Sequence, residues 1–340
     1  MKKRVLLAAC FALLSWQGRG QDIHFSQFYE TSILRNPSLV GIYTEDYKIV
    51  GQTRNQWTNV GRGFRTGQLS AEFRFPVGRE KVDFISVGFL GYSDKAGAIN
   101  FKTVGMYPSL NFSKSLEDDH NTYLSLGFTG GHVTRTIDVN RMTFDNQYQN
   151  GSFDPLNSSG ESTLPDPKLT HWDIGTGISI NSSPSDYMSF YAGLGAYHFT
   201  KPKRSFYQQK EDVYLHTRWS VNGGVSFFLN DTYSVLVHGN YTRQGPAQEI
   251  VAGGVLRWSR TSYSNPRAFA ISGGAYYRLN DAIVPIVKID YKGQAFAFSY
   301  DINTSSLREL TKMQGGFEVS LFYAGFFYSG PEDKRSCPRF

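Results

Sequence analysis

Residues 317–328 read FEVSLFYAGFFY, and the alternation in this stretch decides how the chain folds. Phe317, Val319 and Leu321 share one parity, whereas Glu318 opens the other. A period of two is typical of a β-strand with one apolar face and one polar face. The run is also longer than the roughly five or six residues of an ordinary soluble strand, and it suits a strand that crosses a bilayer at a tilt. This stretch therefore predicts a membrane-crossing β-strand.

Runs of this kind recur along the chain, and turn residues separate many of them. The predicted strands are 47–55, 64–75, 82–93, 99–113, 120–133, 170–181, 187–200, 214–228, 232–242, 248–258, 267–278, 282–291, 293–301 and 315–328. An open sheet edge cannot face lipid, because an unpaired backbone N–H or C=O group in hydrocarbon costs several kcal/mol. The sequence therefore predicts an all-β fold, a transmembrane antiparallel β-barrel of about 14 strands with an N-terminal pre-barrel segment. The alternative, a soluble sandwich, also alternates but is built from shorter strands.

The amino-acid composition agrees with a barrel. The chain holds 26 Phe, 21 Tyr and 34 Gly among 340 residues, yet its mean hydropathy is -0.36. Many aromatic residues in a polar average are expected where only alternate residues touch lipid. Of the 35 Lys and Arg residues, four precede residue 21, which leaves 31 against 29 Asp and Glu in the rest of the chain. This small excess gives no reason to expect a nucleic-acid partner.

The first twenty residues have the layout of a cleavable secretory signal peptide. Lys2, Lys3 and Arg4 precede an apolar run at 5–14, and polar and small residues follow it. The apolar run is too short to cross a bilayer as a helix. Lipidation at Cys10 is the alternative fate of this segment, but a lipobox should end the apolar run, which here continues past the cysteine.

The predicted organisation has four parts: a signal peptide at 1–20, a pre-barrel segment at 21–46, the barrel at 47–328 and a periplasmic tail at 329–340. The pre-barrel segment either enters the lumen as a plug or hangs in the periplasm. Once the signal is removed, Cys337 in the tail is the only cysteine, so no disulfide can form within the chain.

The longest irregular stretch runs from Thr134 to Lys168. Turn-forming pairs such as Asn150-Gly151 and Asp154-Pro155 argue against any regular element within it. If the N-terminus is periplasmic, strand parity places this connection outside the cell. It is either a solvated loop or a loop that binds a partner or covers the pore.

Side chains capable of catalysis or metal binding form no recognisable pattern. No two of the seven His residues stand at H-x-x-x-H spacing and no cysteine supports them, so no metal site is predicted. His171 and Asp173 share a strand parity, which suits either a catalytic pair or a solvated rim. We expect no catalytic, cofactor-binding or metal-binding residues and no enzyme activity. The charged residues expected to face the lumen include Glu72, Arg74, Arg218, Lys288, Asp290 and Glu318.

Several segments resemble the PorP/SprF family. The stretch at 21–29, QDIHFSQFY, is similar to the start of its mature members, and residues 36–41, NPSLVG, are similar to its Asn-Pro-Ala-x-x-Gly element. Arg54-Asn55-Gln56-Trp57 matches its Arg-Asn-Gln-Trp block. Residues 142–147, MTFDNQ, resemble a Leu-Thr-Phe-Gly-Asp-Gln element, from which they depart at Asp145 and Asn146. The C-terminal matches are Ser299-Tyr300-Asp301, Ser305-Ser306-Leu307, residues 316–321 and Cys337-Pro338-Arg339-Phe340.

This resemblance implies an outer-membrane protein of the type IX secretion system that supports secretion or surface anchoring of particular cargo adhesins, often ones used in gliding. It also implies export through a cleaved signal and residence in the cell outer membrane as a multi-pass β-barrel. The implied partners are outer-membrane lipid, other type IX secretion or motility components and a secreted adhesin, with no cofactor. The residues that carry the resemblance, and are candidates for partner contact, are Phe25, Gln27, Asn36, Pro37, Gly41, Arg54, Asn55, Gln56, Trp57, Phe144, Gln147, Tyr300, Asp301, Glu318, Cys337 and Pro338.

A second function remains open. Long-chain fatty-acid channels also have about fourteen strands and an Asn-Pro-Ala element in an N-terminal hatch, which Asn36-Pro37-Ser38 resembles. On that resemblance the barrel would transport small hydrophobic solutes. The short pre-barrel segment, the Arg54-Asn55-Gln56-Trp57 block and the C-terminal pattern are not expected of that class.

Overall fold

The strands alternate in direction along the chain, and almost every connection joins neighbours in one sheet. The computed structural model describes residues 22–57, 63–78, 82–117, 122–149, 151–161, 165–206, 213–260, 269–306 and 308–327. The predicted signal peptide at 1–20 lies outside these residues, as does the predicted tail at 329–340 with Cys337 and Pro338.

The strands within the described ranges are long, and their bounds are as follows. They are β1 (Tyr47–Gln56), β2 (Phe64–Val77), β3 (Asp83–Ala96), β4 (Phe101–Glu117), β5 (Thr122–Thr136), β6 (Tyr148–Gln149), β7 (Ser152–Phe153), β8 (Lys168–Ser185), β9 (Met188–Tyr197), β10 (Arg218–Phe228), β11 (Tyr233–Gln244), β12 (Ala247–Ser259), β13 (Phe269–Arg278), β14 (Ala282–Tyr291), β15 (Gln294–Asn303) and β16 (Gln314–Gly325).

The helices in the same ranges are all short. Two are single α-helical turns, α1 (Ser32–Arg35) and α2 (Arg308–Thr311). Four are 3-10 helices, at Phe28–Glu30, Pro37–Leu39, Val139–Arg141 and Asp145–Gln147. Among the described helices, none has the length and apolar character that crossing a membrane as a helix requires.

The pairing of the last strand with the first closes the sheet. β16 lies antiparallel to β1 in a continuous register, from Tyr47 opposite Gly325 to Gln56 opposite Gly316. In the described part of the chain, fourteen antiparallel strands form this closed barrel, and β6 and β7 form a separate hairpin. The fold class predicted from alternation is therefore confirmed.

The two faces of the barrel wall follow the period of two. On β5, the outward side chains of Leu124, Leu126 and Phe128 are exposed, whereas Ser125 and Thr129, of the opposite parity, are buried against the lumen. Apolar side chains exposed in this way suit contact with lipid tails. The polar groups of the other face must find their hydrogen-bond partners inside the barrel.

The two ends of the barrel differ in their connections. The turn end carries the start of β1 and the short turns at 186–187, 229–232 and 292–293. The loop end carries the connections at 137–167 and 198–217. Outer-membrane barrels have short periplasmic turns and longer extracellular loops, and the connections at the loop end have the lengths typical of the second kind.

Two sequence predictions were wrong in detail. The strand predicted from residue 214 begins at Arg218, because Leu215 is 2% exposed and donates its backbone N–H to Pro202 O (2.9 Å) instead of joining the ladder. The connection predicted to lack regular elements contains two 3-10 helices and the β6–β7 hairpin. Gly151, with a φ of 81°, lies in the turn of that hairpin, so turn residues there build a regular element.

The lipid face gives a first prediction. Replacing Leu126, near the middle of β5, with Arg should lower the free energy of unfolding in lipid vesicles by about 2–4 kcal/mol, because a charge is costly at the bilayer midplane. Thr170→Arg, at the exposed loop end of β8, is the matched control and should cost no more than about 1 kcal/mol. Urea titration of both variants checks this, and equal losses would contradict the assigned membrane position.

Candidate functional site: a plug in the barrel lumen

Residues 22–46, called the plug below, run through the lumen from the loop end to the turn end. At the loop end, Gln244 on β11 donates to Asp22 Oδ2 (3.3 Å). At the turn end, Arg74 on β2 donates to Tyr43 O (2.6 Å). Of the two positions expected for the pre-barrel segment, the plug occupies the luminal one.

Asn36 sets the path of the plug between two short helices. Its Oδ1 accepts from the backbone N–H of Ser38 (3.0 Å) and from the Ser38 hydroxyl (2.8 Å). Pro37 takes the first position of the next 3-10 helix, where its missing N–H is not needed and its fixed φ favours the turn. Asn36 Nδ2 also donates to Ile178 O on β8 (3.4 Å), which ties this element to the wall.

Two wall glycines make room for the Asn-Pro-Ser element. A Cβ at Gly177 on β8 would lie 1.8 Å from Asn36 Oδ1, and a Cβ at Gly127 on β5 would lie 2.3 Å from the Pro37 carbonyl carbon. Gly127 and Gly177 face each other in the β5–β8 ladder. Neither position accepts a side chain while the plug keeps its path, so the wall is shaped to the plug at this point.

Gly41 is required for both its conformation and its surroundings. Its φ of 81° lies in the left-handed region, and a Cβ there would be 2.0 Å from Ser86 Oγ. Its backbone N–H donates to Glu72 Oε2 on β2 (3.0 Å), and Glu72 is 1% exposed. The carboxylate of Glu72 therefore holds the plug close to the turn end.

A buried ionic cluster on β1, β13 and β15 holds the first part of the plug. Arg54, which is 1% exposed, pairs with Asp301 Oδ2 (2.5 Å) and donates to His24 O (2.7 Å). Arg278 also reaches Asp301 Oδ2 (3.2 Å) and donates to Ser26 Oγ (2.8 Å). Removing one partner of a buried charge pair is strongly destabilising, so these residues fix one another as well as the plug.

Glu318 receives the backbone of the plug directly. Its carboxylate oxygens accept from the N–H groups of Ser26 (2.6 Å) and Gln27 (2.8 Å), and from Gln52 Nε2 (2.5 Å). The Gln27 amide in turn donates to Ser299 Oγ (3.2 Å). These plug N–H groups lie away from water and would be unpaired without the wall.

Glu30 ties the middle of the plug to two lysines. Lys288 on β14 lies 2.6 Å from Glu30 Oε1, and Lys48 on β1 lies 3.4 Å from Oε2. Burial alone would raise the pKa of Glu30, but the two ammonium groups lower that pKa to about 2. The plug carboxylate is therefore ionised at neutral pH.

His198, at the loop end beyond β9, joins the plug to β8. Its Nε2 lies 2.5 Å from Asp22 Oδ2, and its Nδ1 lies 2.9 Å from Asp173 Oδ2. Burial alone would lower the pKa of His198, but the two carboxylates raise that pKa to about 9. At neutral pH the imidazolium therefore bridges two carboxylates.

The structure brings together about half of the residues singled out by sequence. The residues that form the plug or contact it are Phe25, Gln27, Asn36, Pro37, Gly41, Arg54, Asp301 and Glu318. The described residues that do not join this site are Asn55, Gln56, Trp57, Phe144, Gln147 and Tyr300. Trp57, with a φ of 51°, packs edge-on against Phe64 at the loop end, and Asn55 accepts from Arg65 Nε (3.1 Å).

Sequence reasoning missed Asp22, His198, Arg278 and the glycine pair Gly127 and Gly177. Inward strand parity marks Arg278 and both glycines as luminal, but it does not name their partners in the plug. His171 and Asp173 both face the lumen, yet Asp173 accepts from Tyr107 Oη (2.8 Å) and pairs with His198 instead of His171. Among the described residues, no group of three or more His, Cys, Asp or Glu side chains is placed to hold a metal.

The close approach at Gly177 gives a prediction for the plug. Gly177→Ala should lower the free energy of unfolding by about 1–3 kcal/mol, because the added methyl group displaces Asn36. Gly130→Ala on β5 is the matched control, since no heavy atom lies within 4 Å of a Cβ built there. Urea unfolding together with protease cleavage of the plug checks this. Equal behaviour of the two variants would mean that the wall does not fit the plug at this point.

The His198 bridge gives a pH dependence. The folded pKa of about 9 exceeds the ordinary 6.5, so the stabilisation is complete below pH 6.5 and is lost as the pH rises through 9. Between pH 7 and pH 9.5, amide hydrogen exchange in residues 22–27 should rise about tenfold or more beyond its intrinsic base catalysis. His198→Gln should be less protected at pH 7 and lack the extra rise. An extra rise that persists in this variant would assign the effect to another group.

Solved structures of barrels resemble this chain at low sequence identity. The CymD monoaromatic hydrocarbon channel is 9% identical, covers 90% of this chain and 95% of its own, and has a TM-score of 0.48. The toluene transporter TodX of P. putida is 9% identical, with 87% and 93% covered and a TM-score of 0.46. A FadL homologue of Pseudomonas aeruginosa is 9% identical, with 82% and 88% covered and a TM-score of 0.43. A comparison with curated proteins gives no match.

The comparison with protein families covers most of the chain. The family described as type IX secretion system membrane protein PorP/SprF matches residues 17–323. This range takes in the plug and the barrel strands as far as Tyr323 on β16. As its motifs predicted, the chain belongs to the PorP/SprF family of type IX secretion system membrane proteins.

Proposed function

We propose that this outer-membrane barrel supports secretion or surface anchoring of specific cargo adhesins, of the kind used in gliding, by binding the cargo at its loop end. The observation that carries the proposal is the plug, which runs the height of the lumen and is bonded to the wall at both ends. Because the plug fills the lumen, partners contact this barrel at its ends and do not enter an open bore. Membership of a type IX secretion family supports contact with other components of that system.

The connection at 137–167 presents an apolar surface at the loop end. Tyr148 on β6 pairs with Phe153 on β7, and the two residues are 60% and 45% exposed. Leu156, three residues further along, is 92% exposed. Apolar side chains grouped on a solvated loop are typical of a surface that binds another protein. Of the two interpretations left open for this connection, these side chains favour partner binding.

Gln147 gives this apolar surface a defined shape. Its Oε1 accepts from the Phe144 N–H (3.1 Å), its Nε2 donates to Asn157 O (3.2 Å), and its backbone carbonyl accepts from the Asp154 N–H (2.9 Å). Gln147 therefore joins the residues before the β6–β7 hairpin to those after it. A loop ordered before binding loses less conformational entropy when a partner docks.

Transport of small hydrophobic solutes finds less support. Two cavities beside the plug measure about 60 and 30 Å³. Pockets that enclose drug-sized ligands measure roughly 300–1,000 Å³. A solute would therefore pass only if the plug left its position, and the hydrogen bonds that plug N–H groups donate to Glu318 and Glu72 oppose that movement.

The cargo proposal predicts a loss of surface adhesin. Replacing Tyr148, Phe153 and Leu156 together with Ser should reduce adhesin crosslinked to the tagged barrel in intact cells about tenfold or more, because clustered apolar anchors carry most binding energy. Antibody labelling of adhesin on unpermeabilised cells gives the matching readout of surface anchoring.

Glu161→Ala, an exposed polar change in the same connection, is the matched control and should leave both readouts at the wild-type level. The amount of folded barrel in the outer membrane is measured in each strain. Undiminished adhesin on cells that lack the barrel altogether would overturn the proposed function. Undiminished adhesin in the triple variant alone would mean that this apolar surface does not bind the cargo.

A further inference from the structure

A small cavity lies at the loop end beside the first residues of the plug. Its volume is about 30 Å³, and its lining includes Arg135 on β5, His171 on β8 and Arg218 on β10. Tyr92, Tyr107 and Tyr197 form its aromatic side, and Asp22 and His198 also line it. A space of this size holds about two water molecules or one small polar group such as a carboxylate.

Arg135 is buried in this cavity with an unfilled hydrogen-bond donor. The residue is 7% exposed, its Nε has no hydrogen-bond partner among the described residues, and its charge helps to lower the pKa of the Asp22 carboxylate. Nδ1 of His171, which lines the same cavity, likewise has no hydrogen-bond partner among the described residues. A buried guanidinium with an unfilled donor is destabilising, and proteins rarely keep one unless something binds it.

The acids near this cavity are already engaged. Asp22 lies 2.5 Å from His198 and 3.6 Å from Arg218, and Asp173 lies 2.9 Å from His198 and 2.8 Å from Tyr107 Oη. Both carboxylates therefore lie against one imidazolium, and the charge of Asp22 is divided among His198, Arg218 and Arg135. Their two negative charges are outweighed by those of the cations around them.

A further cation from the loop end adds to this excess. Arg204, in the connection after β9, lies close enough that burial and the charge of Arg135 lower the pKa of its guanidinium. With Arg135, Arg218 and protonated His198, the described residues around the cavity carry four positive charges against the two negative charges of Asp22 and Asp173. The local field therefore favours an anion.

We propose that this cavity is a carboxylate-binding site at the loop end, with Arg135 as its principal ligand. A planar guanidinium matches a carboxylate through two parallel N–H···O bonds, which gives geometric selectivity as well as attraction. The limited volume admits the carboxylate group but leaves no room for a bulky group attached to it. The carboxylate belongs to a small free acid or to an acidic side chain of a polypeptide that enters from the cell surface, and the proposal holds independently of the cargo function.

The test measures ligand-dependent stability of the full chain in detergent. The melting temperature is followed at constant ionic strength as sodium acetate replaces sodium chloride, and then with capped peptides Gly-Asp-Gly and Gly-Asn-Gly. A ligand that binds only the folded state raises the melting temperature with concentration, which yields an apparent Kd. We expect acetate or the Asp peptide to raise it in the wild-type protein, and the Asn peptide to have no effect.

Four variants decide the role of Arg135. Arg135→Gln should raise the apparent Kd about tenfold or more, because it removes charge-assisted hydrogen bonds. Arg243→Gln, an exposed arginine at the same end of the barrel, should leave the Kd unchanged. Asp22→Asn should lower the Kd, because it removes a negative charge beside the cavity. Opposite shifts in two variants cannot come from misfolding, and Arg135→Lys retains part of the binding if the Gln variant fails to fold.

The outcomes separate the two sources of the carboxylate. Tighter binding of the Asp peptide than of acetate would assign the site to a polypeptide, and binding of acetate alone would assign it to a small acid. The proposal is overturned if neither probe stabilises the wild-type protein. It is overturned equally if Arg135→Gln binds acetate as well as the wild-type protein does.

Discussion

Hydrogen bonding inside the lumen is the constraint on which this structure depends. A polypeptide segment within a closed barrel leaves water, so its N–H and C=O groups must find partners in the wall. Glu318 accepts from two N–H groups of the plug, and Glu72 accepts from a third. From other strands of the wall, Tyr197, Arg218 and Asn111 donate to plug carbonyls. The polar face of the strands is thus matched to one particular backbone path.

This matching is tied to closure of the barrel. Arg54 on β1 stands directly opposite Glu318 on β16 in the register that joins the first strand to the last. Asp301, the ionic partner of Arg54, lies on β15 beside that seam. The site that binds Ser26 and Gln27 is therefore complete only when the barrel is closed. Plug docking and closure consequently stabilise each other, since each supplies partners for charges buried by the other.

The sequence predicted the barrel because alternation is a local pattern. The residues of each strand show by themselves which face is apolar and which is polar. It left open whether the pre-barrel segment lies in the lumen, because that depends on contacts such as Ser26 with Glu318, 292 residues apart. Resemblance to a family singled out Asn36, Gly41, Arg54 and Glu318, but it did not show that they meet around the plug. Arg135 was not singled out at all, since parity gives the face of a residue and says nothing of its partner.

The distribution of hydrogen-bond donors on the lumen wall explains why Arg135 has no plug carbonyl to bind. From the turn end upward, the wall made by β4, β8, β9 and β10 supplies donors to four plug carbonyls: Asn111 to Val40, Ser179 to Ser38, Arg218 to Leu34 and Tyr197 to Ile33. Near the loop end the plug turns its acidic side chain, Asp22, toward His198, and it presents no carbonyl to Arg135. The plug therefore leaves a donor of Arg135 without an acceptor. The carboxylate proposed for the cavity supplies the acceptor that the plug backbone does not.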